Sequence, residues 1–188
     1  SAPNTIQIDA ELENGKTYTH TPYFKIQQDA LGKNPIFKIR SGWGGYHSYL
    51  YNPTGTPDTP NASWVYSYDN INWVRFPVGS THYDLASDTT TMQSPVFTQN
   101  IVYISPLIPY GYTTDYMSDK ARWVANPNVT LSTLGASVEG RPIELFTITN
   151  AGSSVPEANK KVYFIIRSGH PIEQHTSWRL RGMIDWAL

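Results

Sequence analysis

A change of pattern near Pro109 restricts the fold more than any other feature of the sequence. Before it, residues 1–107 consist of short runs of β-forming residues separated by turn residues, with hardly a stretch long enough for an amphipathic helix of three turns. Runs such as Thr5–Asp9, Ile36–Ile39, Val96-Phe97 and Ile101–Ile104 bring the total to about eight or nine candidate strands. Because so many short strands usually form two packed antiparallel sheets, we predict an antiparallel β-sandwich over residues 1–108.

Helical and extended segments alternate in the rest of the chain. A helix is expected from near Thr113 until Asn126-Pro127, because proline disfavours the helical conformation of the residue before it. Two extended segments, Leu131–Leu134 and Pro142–Thr149, are joined through Glu139-Gly140-Arg141. This alternation indicates an α/β domain.

The end of the sequence has the pattern of an unfinished α/β layer. Lys161–Arg167 is a nearly continuous apolar run, typical of a strand that is buried on both faces. Apolar residues with a helical period then predict an amphipathic C-terminal helix without a stop signal: Leu180, Met183, Ile184, Ala187 and Leu188. So few elements leave apolar surface uncovered, and we therefore expect residues 109–188 to be the truncated N-terminal part of a larger α/β/α domain.

The composition excludes several classes of function. Fourteen Lys and Arg against fifteen Asp and Glu give a net charge of -1, so we expect neither nucleic acid nor an anionic membrane surface as a partner. No apolar run approaches the ~18 residues of a membrane span. Without cysteine, a metal site depends on His and carboxylate ligands. Low charge and many Thr, Tyr and Asn residues favour a periplasmic or secreted location over a cytoplasmic one.

The strongest candidate for chemistry follows the apolar run. His170 comes at the carboxyl end of the predicted strand and Glu173 in the first turn of the helix, where Pro171 is well tolerated. An imidazole and a carboxylate placed in this way are able to share one ion at ~2.0–2.2 Å. The alternative is a strand-end histidine bonded to the backbone and a glutamate that complements the helix dipole. His175 does not complete an inverted zincin pattern, because Gln174 intervenes, and we expect it to lie elsewhere.

The same residues resemble a known family. Gly169-His170-Pro171-Ile172-Glu173, followed by Trp178, Gly182 and Trp186, resembles the zinc-binding start of the M14 metallocarboxypeptidases, most closely the cytosolic-carboxypeptidase-like branch. Upstream, residues 134–143 are similar to the Gly-x-Ser-x-Glu-Gly-Arg segment that precedes the zinc strand in this superfamily. The branch carries a β-sandwich in front of its catalytic domain, which agrees with the organisation predicted above.

The resemblance implies a zinc ion held by His170, Glu173 and a second histidine that we expect beyond the end of the chain. It also implies that a general-base glutamate lies downstream of Leu188, so no catalytic residue is assigned within this sequence. The intact parent is expected to hydrolyse a C-terminal amino acid from a peptide or protein. The fragment alone is expected to be inactive, with the rest of the catalytic domain as its partner.

Four points in this interpretation stay open. Ile172 replaces the glycine of the branch, which weakens the case for substrate contact there. Arg141 is a candidate for substrate binding, with capping or ion pairing of a hairpin as the alternative, and Arg167 either faces the site or is a solvated or paired surface group. The competing hypothesis is a non-catalytic module that binds carbohydrate or protein, with a vestigial metal site and this aromatic platform: Trp43, Tyr46, Tyr49, Tyr51, Trp64, Tyr66, Tyr68 and Trp73.

Overall fold

The computed structural model describes residues 5–9, 12–13, 16–17, 23–40, 64–77, 79–84, 86–87, 89–167 and 175–188. The chain divides into two compact units, Ser1–Ile108 and Pro109–Leu188. No helix within these ranges is both long and apolar enough to cross a bilayer.

The first unit is built from short strands in two four-stranded sheets. One sheet has the order β1-β5-β9-β8 and the other the order β4-β10-β6-β7, while β2 and β3 form a separate pair. The strands are β1 (Thr5–Asp9), β2 (Leu12–Glu13), β3 (Lys16–Thr17), β4 (Phe24–Ile26), β5 (Ile36–Arg40), β6 (Val65–Ser67), β7 (Trp73–Arg75), β8 (Thr81–Asp84), β9 (Thr89–Gln93) and β10 (Val102–Ser105).

Side chains from both sheets form one hydrophobic core. Phe37 of β5 and Met92 of β9 are fully buried with Ile104 of β10, which belongs to the other sheet. The rings of Phe24 and Phe37 also bring β4 and β5 together, with centroids 5.5 Å apart. Burial of this apolar surface is the main force that holds the two sheets together.

Two details of the first unit differ from the prediction. β1 and β5 pair in parallel, whereas an all-antiparallel arrangement was expected. The reason is that β4, which belongs to the other sheet, comes between these two strands in the chain, and β5 then runs in the same direction as β1. Val96-Phe97, expected to be a strand, is irregular, although Phe97 is buried in the core.

In its described residues, the second unit contains two α-helices and a hairpin. A π-helical turn over Tyr112–Tyr116 leads into α1 (Met117–Val124), and the hairpin strands are β11 (Val129–Ala136) and β12 (Pro142–Ile148). A 3-10 turn covers Glu157–Asn159, and α2 (His175–Ala187) ends the unit. The predicted helix after Thr113, the hairpin and the C-terminal helix are therefore confirmed.

The prediction of a buried strand at Lys161–Arg167 is wrong for the described chain. This segment is not a regular strand, and none of the strands described here pairs with it. Its apolar side chains are exposed, with Tyr163 at 88% and Phe164 at 68%. A parallel strand is buried only when neighbouring strands and covering helices surround it, and the described residues supply no such neighbours.

Candidate functional site

The two predicted metal ligands lie outside the described residues. His170 and Glu173 belong to residues 168–174, so the described geometry concerns the segments on either side of them. Within the described ranges, no three His, Asp or Glu side chains gather in a way that could hold a metal ion. His175 is the first residue of α2.

Arg167 connects the two flanking segments. Its Nη1 donates a hydrogen bond of 2.6 Å to Oγ of Ser177, on the first turns of α2. Its guanidinium carbon also lies over the rings of Tyr110 and Tyr116, at 5.5 Å from each centroid, which is within the range of cation–π attraction. Of the two roles considered for Arg167, the structure shows a paired group.

Tyr110 is fixed by a buried carboxylate. Its hydroxyl donates to Oδ2 of Asp119 at 2.8 Å, and Asp119 lies in α1 with its side chain only 4% exposed. Arg122 and Arg181 compensate this charge, at 2.9 Å and 3.1 Å from the two carboxylate oxygens. Burial, followed by the hydrogen bond to Asp119, raises the pKa of Tyr110 well above its ordinary value. The phenol is therefore protonated at neutral pH and has a proton to donate to Asp119.

Tyr116 is also held by a carboxylate, in this case one from the hairpin. Its hydroxyl donates to Glu144 of β12, and Lys120 of α1 forms an ion pair with the same carboxylate. Burial and the hydrogen bond to Glu144 raise the pKa of Tyr116. Burial also opposes ionisation of Glu144, but the hydrogen bonds from Lys120 and Tyr116 outweigh it and lower the pKa of that carboxyl.

A third carboxylate joins the two helices directly. Asp185 of α2 accepts a hydrogen bond of 2.8 Å from Nε1 of Trp123 and pairs with Arg122 at 2.7 Å. Burial again opposes ionisation, but these donors lower the pKa of Asp185. The ring of Trp178 packs edge-to-face on Tyr110, with centroids 5.1 Å apart. The start and the end of α2 are thus both fixed to the same part of the unit.

We call these side chains the Arg167 network: Arg167, Ser177, Tyr110, Tyr116, Asp119 and Glu144. Sequence reasoning did not find this network, because its members are far apart in the chain and no short motif links them. The one available signal was the change of pattern near Pro109, which directly precedes Tyr110.

Arg141 lies at the tip of the β11–β12 hairpin. Its Nη2 is 2.5 Å from Oε2 of Glu139, and both side chains are largely exposed. Gly140, between them, has a positive φ of 76°. The ion pair in the hairpin was the alternative considered for Arg141, and its role as a substrate contact stays a prediction.

The predicted aromatic platform lies partly in the core. Trp64 is fully buried, and Tyr66 packs against the rings of Phe76 and Phe97 at 5.6 Å and 5.8 Å. The ring of Trp64 is therefore not available for stacking on a sugar, and the ring of Tyr66 is partly buried. Trp43, Tyr46, Tyr49 and Tyr51 lie outside the described residues.

Comparison with known proteins finds similarity to carboxypeptidases, although no family model matches the chain. The sequence is 28% identical over 186 residues to cytosolic carboxypeptidase 2 of Macaca fascicularis and of Homo sapiens, with 92% of this chain covered. The fold matches a metallo-carboxypeptidase from Burkholderia cenocepacia with a TM-score of 0.74 and 24% identity over 98% of this chain. A metallo-carboxypeptidase from Pseudomonas aeruginosa, in complex with (2-guanidinoethylmercapto)succinic acid, also matches with a TM-score of 0.74, at 22% identity over 100% of this chain.

The matched proteins are much longer than this chain. It covers 22% and 20% of the two curated relatives, and 43% and 44% of the two solved structures. The predicted resemblance to M14-type carboxypeptidases is confirmed by the names of these relatives. The described residues share a fold with part of a metallo-carboxypeptidase.

Proposed function

We propose that this chain is the N-terminal part of a zinc-dependent metallocarboxypeptidase that removes a C-terminal amino acid from a peptide or protein. The observation that supports the proposal most strongly is the structural match, which extends over 98% of the chain and joins it to metallo-carboxypeptidases. The two-sheet unit is then the β-sandwich, and residues 109–188 are the first part of the catalytic domain.

The donor set of the predicted metal site suits zinc. His170 supplies an imidazole nitrogen and Glu173 a carboxylate oxygen, and both are ordinary zinc ligands. When bound, zinc lowers the pKa of a coordinated water to ~7 and stabilises negative charge on the substrate oxygen. Catalytic zinc sites use three protein ligands, so the proposal requires a further histidine and a general base from residues outside this sequence. The isolated chain is accordingly proposed to be inactive.

Arg141 is proposed to contact the substrate. The guanidinium is exposed at the hairpin tip, and its geometry suits a carboxylate. Its ion pair with Glu139 is also exposed, and such pairs contribute ~0–1 kcal/mol, so a substrate carboxylate is able to displace Glu139 at little cost. Replacement of Arg141 by glutamine is then expected to raise KM more than it lowers kcat.

The test uses the longest reading frame that contains these 188 residues. We expect the purified protein to contain one zinc ion and to release C-terminal amino acids from peptides, and a chelator is expected to abolish the release. His170→Ala and Glu173→Gln should lose both zinc and activity. His82→Gln, at an exposed histidine of β8, is the matched control and should lose neither.

Two results would contradict the proposal. One is peptide release that persists without metal, and the other is full zinc content in His170→Ala. Binding of a carbohydrate or protein without zinc or peptide release would favour the non-catalytic module instead.

A further inference from the structure

We propose that Arg167 is a positioning residue for the metal-binding segment, holding the chain on both sides of His170 and Glu173. This inference rests on the proposed function, because it assumes that these two residues bind zinc. It adds a role that neither the motif nor the resemblance assigns.

The first support is where Arg167 is attached. It precedes His170 by three residues, and its partner Ser177 follows Glu173 by four. The hydrogen bond of 2.6 Å between Nη1 and Oγ therefore joins the two ends of the segment that contains both ligands. Joining the two ends of a chain segment reduces the conformational freedom of the residues between them, and so reduces the entropy lost when their side chains converge on an ion.

The second support is that Arg167 is itself held in place. The rings of Tyr110 and Tyr116 both attract its guanidinium. Each ring is fixed through its hydroxyl, Tyr110 by Asp119 and Tyr116 by Glu144. These carboxylates belong to α1 and β12, so the position of Arg167 is set, through the two tyrosines, by regular elements of the unit.

The third support is the independent anchoring of α2. Asp185 bonds to Trp123 and Arg122, and Arg181 reaches Asp119, which also holds Tyr110. Ser177 therefore lies on a helix that is fixed relative to α1. The residues at both ends of the metal-binding segment, Arg167 and Ser177, are therefore held relative to the same helix, α1, as expected for groups that orient metal ligands.

The arrangement depends on arginine rather than on positive charge alone. A guanidinium is planar, lies flat over aromatic rings and donates along fixed directions, whereas an ammonium does not. Arg167→Lys therefore tests the geometry while keeping the charge, and Arg167→Gln removes both. Arg179→Gln is the matched control, because it removes the same charge from an exposed position on α2.

The experiment measures Zn²⁺ binding by calorimetry to the protein of the longest reading frame that contains these 188 residues, and it follows the imidazole signals of His170 by NMR. Amide hydrogen exchange in β11 and β12 is recorded on the same samples to report the integrity of the fold. Loss of groups that orient metal ligands typically weakens metal binding by about 10–100-fold, and we expect at least tenfold weaker binding for Arg167→Gln and Arg167→Lys. Arg179→Gln should match the unmodified chain, and the hairpin amides should keep their protection in all variants.

The outcomes separate the two proposals. If the unmodified longer protein takes up no zinc, or if its His170→Ala variant binds zinc equally well, the proposed metal site fails and this inference falls with it. If zinc binding requires His170 but Arg167→Gln binds as tightly as Arg179→Gln, only the positioning role is overturned. Loss of hairpin protection in both Arg167 variants would also overturn it, because Arg167 would then maintain the fold instead of the site.

Discussion

Asp119→Asn replaces the buried carboxylate that joins α1, α2 and Tyr110 by an amide of nearly the same shape. The side chain is 4% exposed and receives Tyr110 at 2.8 Å, Arg122 at 2.9 Å and Arg181 at 3.1 Å. The substitution therefore changes charge and hydrogen bonding with little change in packing volume.

The expected loss of stability follows from these contacts. Breaking a buried ion pair usually costs ~3–5 kcal/mol, because the remaining charge stays without compensation. Here Asp185 stays 2.7 Å from Arg122 and 3.8 Å from Arg181, and Arg122 is half exposed to solvent. We therefore place the loss in the free energy of unfolding below that range, at about 2–3 kcal/mol.

Native-state hydrogen exchange of the β11 and β12 amides is the suitable assay, because it reports on residues 109–188 separately from the rest of the chain. The control is Glu157→Gln, which removes an 80% exposed carboxylate paired with Lys160 at 2.7 Å. It should change the free energy by less than about 1 kcal/mol. If Asp119→Asn falls within the range of this control, the carboxylate does not join the two helices in the way described.

Three further predictions concern the network and the hairpin. The pKa of Glu144 is lowered from its ordinary value of 4.5, so the stability that it contributes is present above about pH 4.5 and is lost as the pH falls. When the free energy of unfolding in urea is measured at several pH values, Glu144→Gln should therefore lose less stability than the unmodified chain as the pH falls below about 4.5. The pKa values of Tyr110 and Tyr116 are raised from 10.0, so their contribution is intact below about pH 10 and is lost as the pH rises further. The measurement is the tyrosinate absorbance titration of the unmodified chain minus that of Tyr110→Phe or of Tyr116→Phe. Each difference should show one tyrosine that ionises at a higher pH than an ordinary tyrosine, and ionisation near pH 10 would contradict the corresponding hydrogen bond. Gly140→Ala should destabilise the hairpin by about 1 kcal/mol, because φ of 76° is unfavourable for a residue with Cβ, and unchanged exchange of the β11 amides would contradict this.

The C-terminal helix and the β11–β12 hairpin could be predicted, because their signals lie within short stretches of the sequence. The C-terminal helix follows from apolar residues with a helical period, and the β11–β12 hairpin follows from two extended runs around Gly140. β8 and β9 were missed, although β9 lies inside a sheet, because Thr89–Gln93 contains few apolar residues. Its inward positions are Thr90 and Met92, and the β-branched threonines were the available signal.

Features that depend on distant residues could not be predicted in this way. The apolar character of Lys161–Arg167 indicated burial, but burial requires neighbouring strands, which a segment's own sequence cannot report. The parallel pairing of β1 with β5 depends on the route through the other sheet. The two aromatic partners of Arg167, Tyr110 and Tyr116, come from segments more than 50 residues earlier in the chain, and no spacing rule links them to it.

The central claim is that His170 and Glu173 bind the same ion, and a crystal structure of the zinc-loaded protein tests it most directly. The proposal predicts one zinc with an imidazole nitrogen of His170 and a carboxylate oxygen of Glu173 each at ~2.0–2.2 Å. Zinc held by other residues, or by only one of these two side chains, would contradict it.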